Sequence, residues 1–237
     1  MTVCPERGAS NRREFRRGRK EEIPMAHRAV LFDLDGTLVN TLKDIAFAMN
    51  RALRMNGLPE FEEAAYRYLV GDGVKNLALR ACRERTDMAP KVLHDYQAYY
   101  GEHSRVHSAP YEGIPQMLRA LEEKGMRLAV FSNKPHPDTC EVVRHYFPDV
   151  TFEVVRGQKP DTPVKPDPAG ALAVAGEMGL APEEFLYLGD TNTDMRCAVN
   201  AGMFPVGVAW GFRDAEELAQ NGAKRVIFHP MDLLEEI

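Results

Sequence analysis

Two aspartates stand one residue apart in the stretch VLFDLDGTLVN, which runs from Val30 to Asn40. Because the side chains of a strand alternate between its two faces, Asp33 and Asp35 would point to the same side of a strand end. Two like charges there repel each other, and each makes the other harder to ionise. The pair therefore indicates a bound group that benefits from both carboxylates.

Other polar residues follow later predicted strands. Ser132 and Asn133 end one strand, Asp190 and Asp194 follow another in GDTNTD, and Lys165 lies in the loop before a predicted helix. In open parallel sheets, ligands bind at the carboxyl ends of the strands. Strand-end carboxylates together with a lysine and a hydroxyl are suited to a hard cation and an anionic group.

The elements that must position these residues alternate between strand and helix from residue 113 onward. Strands separated by helices of about ten residues predict an α/β fold, a Rossmann-like parallel sheet flanked by helices. The predicted strands are Arg127–Ser132, Phe152–Val155, Phe185–Gly189, Phe204–Trp210 and Arg225–Phe228. The predicted helices are Ile114–Lys124, Pro137–Phe147, Pro168–Met178, Thr193–Ala201 and Asp214–Asn221.

Residues 40–108 interrupt this alternation with helical patterns alone, which predict an inserted all-helical cap domain. The catalytic core would then comprise residues 28–39 and 109–237. In the first cap helix, Thr41 and Asp44 have the spacing of a capping box, and an apolar stripe ends before Gly57. Further helices are predicted over Glu62–Val70, Val74–Arg85 and Pro90–His103.

The composition is that of a globular protein with a full hydrophobic core. A chain of 237 residues can hold one large domain, or one domain with a smaller insert, and 44% of its residues are hydrophobic. The net charge of −5 and the pI near 5.8 argue against nucleic acid as a partner.

The cysteines and the hydropathy indicate the compartment. Four scattered cysteines without a CxxC pair predict a reducing environment, with neither a disulfide framework nor a zinc site. No stretch approaches the roughly 18 apolar residues of a membrane span. We therefore expect a cytoplasmic protein without a membrane partner. The sequence leaves the oligomeric state open between a monomer and a homodimer.

The first part of the chain differs from the rest. Residues 1–25 hold seven Arg or Lys residues and four Glu, a net charge of +3, and almost no apolar residues. This composition predicts a disordered basic tail over residues 1–27 without a function of its own. Met25 would serve as the natural first residue.

The motifs DLDGT, SN, KPD and GDTNTD, in that order, resemble the four motifs of the haloacid dehalogenase superfamily of phosphotransfer enzymes. The inserted helices resemble the cap of its phosphoglycolate phosphatase-like branch. The resemblance implies an Mg²⁺-dependent phosphatase for a small anionic phosphorylated metabolite, with 2-phosphoglycolate as the leading substrate.

The resemblance also implies roles for the motif residues. Asp33 would be the nucleophile that forms an aspartyl-phosphate, and Asp35 would be the general acid and then the general base. The implied Mg²⁺ ligands are Asp33, the backbone carbonyl of Asp35, Asp190 and Asp194. The implied phosphate-binding residues are Gly36, Thr37, Ser132, Asn133 and Lys165.

The cap would contact the leaving group through the stretch LVGDGVKNLALRA, in which a helix begins after Gly73. A helix N-terminus with Lys75 is suited to a substrate carboxylate, although the charge of Asp72 would oppose an anion there. His136 would lie near the site. Tyr96, Tyr99 and Tyr100 are interpreted as helix packing.

Three other functions remain open. A β-phosphoglucomutase-like mutase shares the four motifs and the cap type, and an inorganic pyrophosphatase belongs to the same branch. A signalling receiver domain also uses an aspartate, Mg²⁺, a hydroxyl and a lysine, but the DxDGT spacing and the cap argue against it.

Overall fold

The computed structural model describes residues 27–235 and 237, so the predicted tail lies outside the described residues except for His27. Six parallel strands form a sheet in the order β5-β4-β1-β6-β7-β8. They are β1 (Ala29–Phe32), β4 (Arg127–Pro135), β5 (Phe152–Gln158), β6 (Phe185–Gly189), β7 (Phe204–Val208) and β8 (Arg225–Ile227). The predicted parallel α/β fold is confirmed.

The first strand is central, with β4 on one side and β6 on the other. Phe32 is in register with Val130 of β4 and with Leu188 of β6. All four residues of β1 are fully buried, as expected for a parallel strand that is covered on both faces. The residues that follow Phe32, Val130 and Leu188 therefore meet at one edge of the sheet.

Helices cover both faces of the sheet. On one face Phe32, Val130 and Leu188 share a buried cluster with the helix that contains Leu118, and on the other Leu31 packs among buried residues of α7 and α8. The core helices are α5 (Ile114–Glu123), α6 (His136–Tyr146), α7 (Ala169–Met178), α8 (Asn192–Ala201) and α9 (Ala215–Gln220). Among the described residues, no helix is both long and apolar enough to cross a membrane.

The inserted segment folds around a hydrophobic core of its own. Met49, Leu53, Tyr66, Leu77 and Tyr96 are buried together there. Its helices are α1 (Leu42–Met55), α2 (Tyr66–Leu69), α3 (Val74–Ala81) and α4 (Ala89–His103), with 3₁₀ turns at Glu63–Ala65 and Thr86–Met88. The inserted helices thus pack chiefly against one another, and Phe212, from the chain beyond the insert, joins the same cluster.

The two chain crossings between core and cap lie side by side. β2 (Val39–Asn40) pairs antiparallel with β3 (Ala109–Pro110), a two-stranded ribbon that the helical patterns did not predict. Each of these strands has only two residues, which is too short for periodicity to reveal.

The predicted capping box at the start of α1 is wrong. Thr41 makes no side-chain hydrogen bond with the helix end. Asp44 is instead buried, and its carboxylate accepts hydrogen bonds from the backbone N–H of His107 and of Ser108 and from the Ser108 hydroxyl, at 2.7–3.0 Å. The Asp44 side chain, which local spacing assigns to the N-terminus of its own helix, therefore binds a segment that is distant in the sequence.

Several element bounds also differ from the prediction. The helix predicted over 62–70 is divided into a 3₁₀ turn and α2, and α3 ends at Ala81 rather than at Arg85. Shortly after α3, Arg83 takes a left-handed φ of 52°, which no helix continues through. β4 runs on to Pro135 because β5 supplies a partner at Gln158 after an irregularity in the register.

We expect Asp44→Asn to lower the free energy of unfolding by about 2 kcal/mol, because an amide replaces one acceptor oxygen with a donor that faces buried N–H groups. Urea unfolding monitored by circular dichroism measures the difference. The exposed Asp149→Asn is the matched control and should change the value by less than about 0.5 kcal/mol. Equal stability of the two variants would contradict the role assigned to Asp44.

Candidate active site

The predicted site residues from three strands meet at the carboxyl edge of the sheet. Asp33 follows β1 directly, and its backbone N–H donates to the carbonyl of Leu188 at 2.9 Å. Asp190 follows β6, Asp194 lies in the first turn of α8, and Ser132 belongs to β4. Parallel pairing of β1 with β4 and β6 is what brings these separate sequence positions together.

Three buried carboxylates form the centre of this edge. Asp33, Asp190 and Asp194 each offer an oxygen atom, and these oxygens lie within 4.8 Å of one another. With one ammonium group nearby, three ionised carboxylates would leave two negative charges without a partner. The charge and the oxygen donors therefore fit a hard divalent cation.

The crowded charges shift the proton affinities of the carboxyls. Burial and the neighbouring Asp194 raise the pKa of Asp33 to about 7, although Lys165 acts in the opposite direction. Burial, Asp194 and Asp33 raise the pKa of Asp190 well above its ordinary value. A divalent cation bound to these oxygens would favour their ionised forms.

Lys165 provides the positive charge among these carboxylates. Its Nζ lies 2.9 Å from Oδ1 of Asp33 and 2.7 Å from Oδ1 of Asp194, and it donates to the carbonyl of Phe131 at 3.0 Å. Burial lowers the pKa of Lys165, but the Asp194 and Asp33 carboxylates outweigh it and raise the pKa above its ordinary value. The ammonium is therefore held charged beside Asp33.

Asp190 is fixed on several sides. The Thr37 hydroxyl donates to its Oδ1 at 2.9 Å, and the backbone N–H of Phe212 donates to its Oδ2 at 2.8 Å. Gly36 and Gly211 pack against it so closely that a Cβ on either would lie 2.2 Å from an Asp190 atom. Gly36 also has a φ of +90°, which glycine adopts readily.

Asp194 is held by the start of its own helix. Thr191 and Asp194 form a capping box at the N-terminus of α8, in which the carboxylate accepts from the Thr191 hydroxyl at 2.6 Å and from the Thr191 N–H at 3.1 Å. One oxygen of Asp194 thus orders the helix end while the other contacts Lys165.

The phosphate-binding residues predicted from the motifs occupy different surroundings. Ser132 and Asn133 line a cavity in front of Asp33 and Asp35. Asn133 also accepts from the N–H of Lys165 at 2.8 Å and donates to the carbonyl of Gly71 at 3.0 Å, and so connects the core with the cap. Thr37 is directed at Asp190.

The cavity lies between core and cap. Core residues on its walls include Asp33, Asp35, Ser132, Asn133, Lys134, Pro135, Asp138 and Phe212, and cap residues include Ile45, Val70, Gly71, Gly73, Val74, Leu77, Tyr96 and Tyr100. Gly73, predicted from the sequence, is on this wall. Lys75 is exposed and is not part of the wall.

Lys134 and Tyr100 are the site residues to which the motifs assigned no role. The Nζ of Lys134 lies 3.1 Å from Oδ2 and 3.3 Å from Oδ1 of Asp35, and it donates to the Tyr100 hydroxyl at 2.8 Å. Burial lowers the pKa of Lys134, but Asp35 outweighs it and the net shift is upward. In the sequence, the position of Lys134 directly after Ser132-Asn133 was the signal from which its place in the site could have been predicted.

Polar contacts hold the cap against the core beside this cavity. Asp72 accepts from the Thr193 hydroxyl at 2.7 Å and pairs with Arg80. Burial raises the pKa of Asp72, but the hydrogen bonds from Thr193 and Arg80 outweigh it and lower the pKa. The negative charge of Asp72 is therefore already compensated. His136 contacts the N–H of Gly157 at 3.2 Å and lies outside the cavity wall.

Comparison with known proteins identifies the family. The family profile described as haloacid dehalogenase-like hydrolase matches residues 30–208. The chain belongs to the haloacid dehalogenase-like hydrolases. This haloacid dehalogenase-like chain is 34% identical over 199 residues to a phosphoglycolate phosphatase of Pasteurella multocida, covering 80% of the chain and 89% of the relative.

A second relative and a solved structure are also named as phosphatases. An N-acetylmuramic acid 6-phosphate phosphatase of Pseudomonas aeruginosa is 32% identical over 216 residues, covering 89% of the chain and 95% of that protein. The crystal structure of a "predicted phosphoglycolate phosphatase" from Haemophilus somnus superposes with a TM-score of 0.83 at 30% identity, covering 90% and 99% of the two chains. The haloacid dehalogenase-like chain is accordingly an enzyme of the phosphatase type.

We expect Gly211→Ala to lower phosphatase activity about 10-fold or more, because the added Cβ would displace Asp190 from the carboxylate cluster. Gly176→Ala, where nothing lies within 4 Å of an added Cβ, is the matched control and should keep full activity. The rate of phosphate release measures both variants. A Gly211→Ala enzyme with an unchanged rate would show that the packing of Asp190 is not critical.

Proposed function

We propose that this enzyme is an Mg²⁺-dependent phosphatase that hydrolyses a small phosphomonoester, with 2-phosphoglycolate as the leading substrate, through an aspartyl-phosphate on Asp33. The observation that carries this proposal is the position of Asp33. Its carboxylate opens onto the cavity while Lys165, Asp190 and Asp194 surround it from within the core. A cap formed by residues 40–108 would close the cavity.

In this proposal Asp33 acts as the nucleophile. One of its oxygens would attack phosphorus, and the bond between phosphorus and the leaving oxygen would break as the new bond forms. Lys165 keeps positive charge next to the attacking carboxylate at 2.9 Å. Ser132 on the cavity wall would donate its hydroxyl to a phosphoryl oxygen.

In this proposal Asp35 transfers the proton. It lies two residues beyond Asp33 on the wall of the same cavity, and its side chain is 18% exposed. In the first step it would give its proton to the leaving oxygen. In the second step it would take a proton from a water molecule, whose oxygen bonds to phosphorus while the bond between phosphorus and Asp33 breaks.

Three carboxylates, those of Asp33, Asp190 and Asp194, would hold the metal ion together with the backbone carbonyl of Asp35. Bound Mg²⁺ would supply charge neutralisation for the phosphoryl oxygens and the attacking carboxylate. The support is the chemistry of the donors, because Mg²⁺ in proteins prefers a few carboxylates together with substrate oxygens and water.

The substrate assignment rests on the names of the relatives. A relative named phosphoglycolate phosphatase is 34% identical to this chain, and another named for N-acetylmuramic acid 6-phosphate is 32% identical. Sugar phosphates are therefore the second candidate substrate class. The mutase and pyrophosphatase alternatives use the same motifs. The products formed would distinguish them from a phosphatase for phosphomonoesters.

We expect Asp33→Asn to lower phosphate release from phosphomonoesters by more than about 1,000-fold, because an amide is a poor nucleophile for phosphorus. A colorimetric phosphate assay measures the rate, and circular dichroism verifies the fold. Asp149→Asn is the control for an aspartate on the exposed surface. Substantial activity in Asp33→Asn would exclude the covalent mechanism.

We expect removal of divalent cations with a chelator to abolish activity, and added Mg²⁺ to restore it. Asp190→Asn should raise the Mg²⁺ concentration needed for half-maximal rate about 10-fold or more, since it removes one charged ligand. Titration of the rate with Mg²⁺ measures both effects. Chelator-resistant turnover would contradict the proposed metal dependence.

We expect a phosphate-release screen to give the highest kcat/KM with 2-phosphoglycolate among phosphoglycolate, pyrophosphate and sugar phosphates. Isomerisation of a sugar phosphate with little phosphate release would indicate a mutase instead. Preferred turnover of pyrophosphate would indicate a pyrophosphatase. Either result would exclude 2-phosphoglycolate as the preferred substrate.

A further inference from the structure

Lys134 carries the only cationic side chain among the described residues that line the cavity. An ammonium group has three N–H donors. They are directed at the Asp35 carboxylate, with Oδ2 at 3.1 Å and Oδ1 at 3.3 Å, and at the Tyr100 hydroxyl at 2.8 Å. The side chain is only 4% exposed. A carboxylate bound beside Asp35 would therefore share this buried ammonium group with Asp35.

The hydroxyl of Tyr100 has a donor to spare. Its one hydrogen bond within the described chain is the bond that it accepts from Lys134, so its own O–H has no acceptor there. Tyr96 lies one helical turn earlier on α4, with its ring stacked on that of Tyr100 at 5.2 Å. Both rings belong to the cavity wall, so the donors of Tyr100 and Lys134 converge at one place.

The place where they converge is next to the leaving group. In the proposed mechanism Asp35 contacts the leaving oxygen, and the ammonium of Lys134 is 3.1 Å from Asp35. A group bound by Lys134 on the side of Asp35 would therefore be close to the leaving oxygen, as the carboxylate of a 2-hydroxy acid is to its hydroxyl oxygen.

We propose that Lys134 and Tyr100 bind the carboxylate of the leaving group, and so select phosphomonoesters of short 2-hydroxy acids. This inference rests on the proposed phosphatase function and adds the residues that determine its specificity. It assigns to a core lysine and a cap tyrosine the role that the sequence suggested for Lys75. Because Tyr100 belongs to the cap and Lys134 to the core, a bound carboxylate would also connect the two units.

The surrounding wall supports a charged ligand that contacts Lys134 directly. Ile45, Val70 and Leu77 line the cap side and exclude water, which strengthens a charge-assisted hydrogen bond. Asp138 is also on the wall, close enough to Lys134 for its charge to raise the pKa of that lysine, and it would repel an anion that lacked direct contact with Lys134. An uncharged sugar hydroxyl is the competing ligand for these donors, and the test distinguishes the two.

The test compares two substrates that differ only in the carboxylate: 2-phosphoglycolate and 2-hydroxyethyl phosphate. The quantity measured is the ratio of their kcat/KM values. We expect Tyr100→Phe to lower this ratio about 10-fold and Lys134→Met about 100-fold, since each loses a hydrogen bond to a charged group. Lys134→Met should also slow both substrates, because Lys134 positions Asp35.

Matched controls make the result specific. Tyr99→Phe alters the neighbouring tyrosine of α4, which stacks on His103 away from the cavity, and Lys43→Met alters an exposed lysine of α1. Both should leave the ratio within about twofold. Near-ultraviolet circular dichroism verifies that each variant keeps its packing.

Several outcomes would overturn the inference. A ratio that stays constant in both Tyr100→Phe and Lys134→Met would give these residues a structural role only, as would a wild-type enzyme that does not prefer the carboxylate substrate. A ratio that falls in Lys75→Met but not in these variants would return the role to Lys75. In each case turnover of phosphomonoesters would leave the phosphatase proposal intact, whereas no turnover of any phosphomonoester would refute that proposal itself.

Discussion

Three carboxylates and one ammonium lie together, out of water, at the end of the central strand, and much of the surrounding structure serves to hold them there. Lys165 contacts both Asp33 and Asp194, at 2.9 and 2.7 Å. The carboxylate oxygens lie within 4.8 Å of one another, and like charges this close are unfavourable in a poorly solvated site unless opposite charge is fixed among them. The buried lysine is that fixed charge, and a divalent cation would complete the neutralisation.

The residues around this cluster allow close approach to its carboxylates or form hydrogen bonds with them. Gly36 and Gly211 leave room for Asp190, the Thr37 hydroxyl and the Phe212 N–H bond its two oxygens, and Thr191 orders Asp194. Each carboxylate therefore keeps a defined direction before any ligand binds. Such preorganisation lowers the cost of arranging charges during the reaction.

The cap completes the site through hydrogen bonds with the core, most of which are accepted by backbone carbonyl groups. Asn133 donates to the carbonyl of Gly71, Arg67 donates to the carbonyls of Gly211 and Phe212, and Thr193 donates to Asp72. These bonds lie beside the residues that surround Asp190 and Asp194. The position of the cap is therefore coupled to the loops that carry the carboxylates, and the cavity exists only where both units meet.

The sequence by itself determined the sheet, the inserted helices and the set of charged residues. Hydrophobic patterns and glycines mark these elements because burial and turn geometry act on neighbouring residues, and Asp33, Asp190, Asp194 and Lys165 stand at strand ends or in their loops, where chemistry is expected. Only the tertiary structure decided which side chains contact one another. Asp44 binds Ser108 instead of forming the expected capping box, and Lys75 is exposed. Tyr100 of the cap contacts Lys134, which in turn contacts Asp35. Contacts between residues 34 or 63 positions apart depend on how whole elements pack, and no local spacing records that.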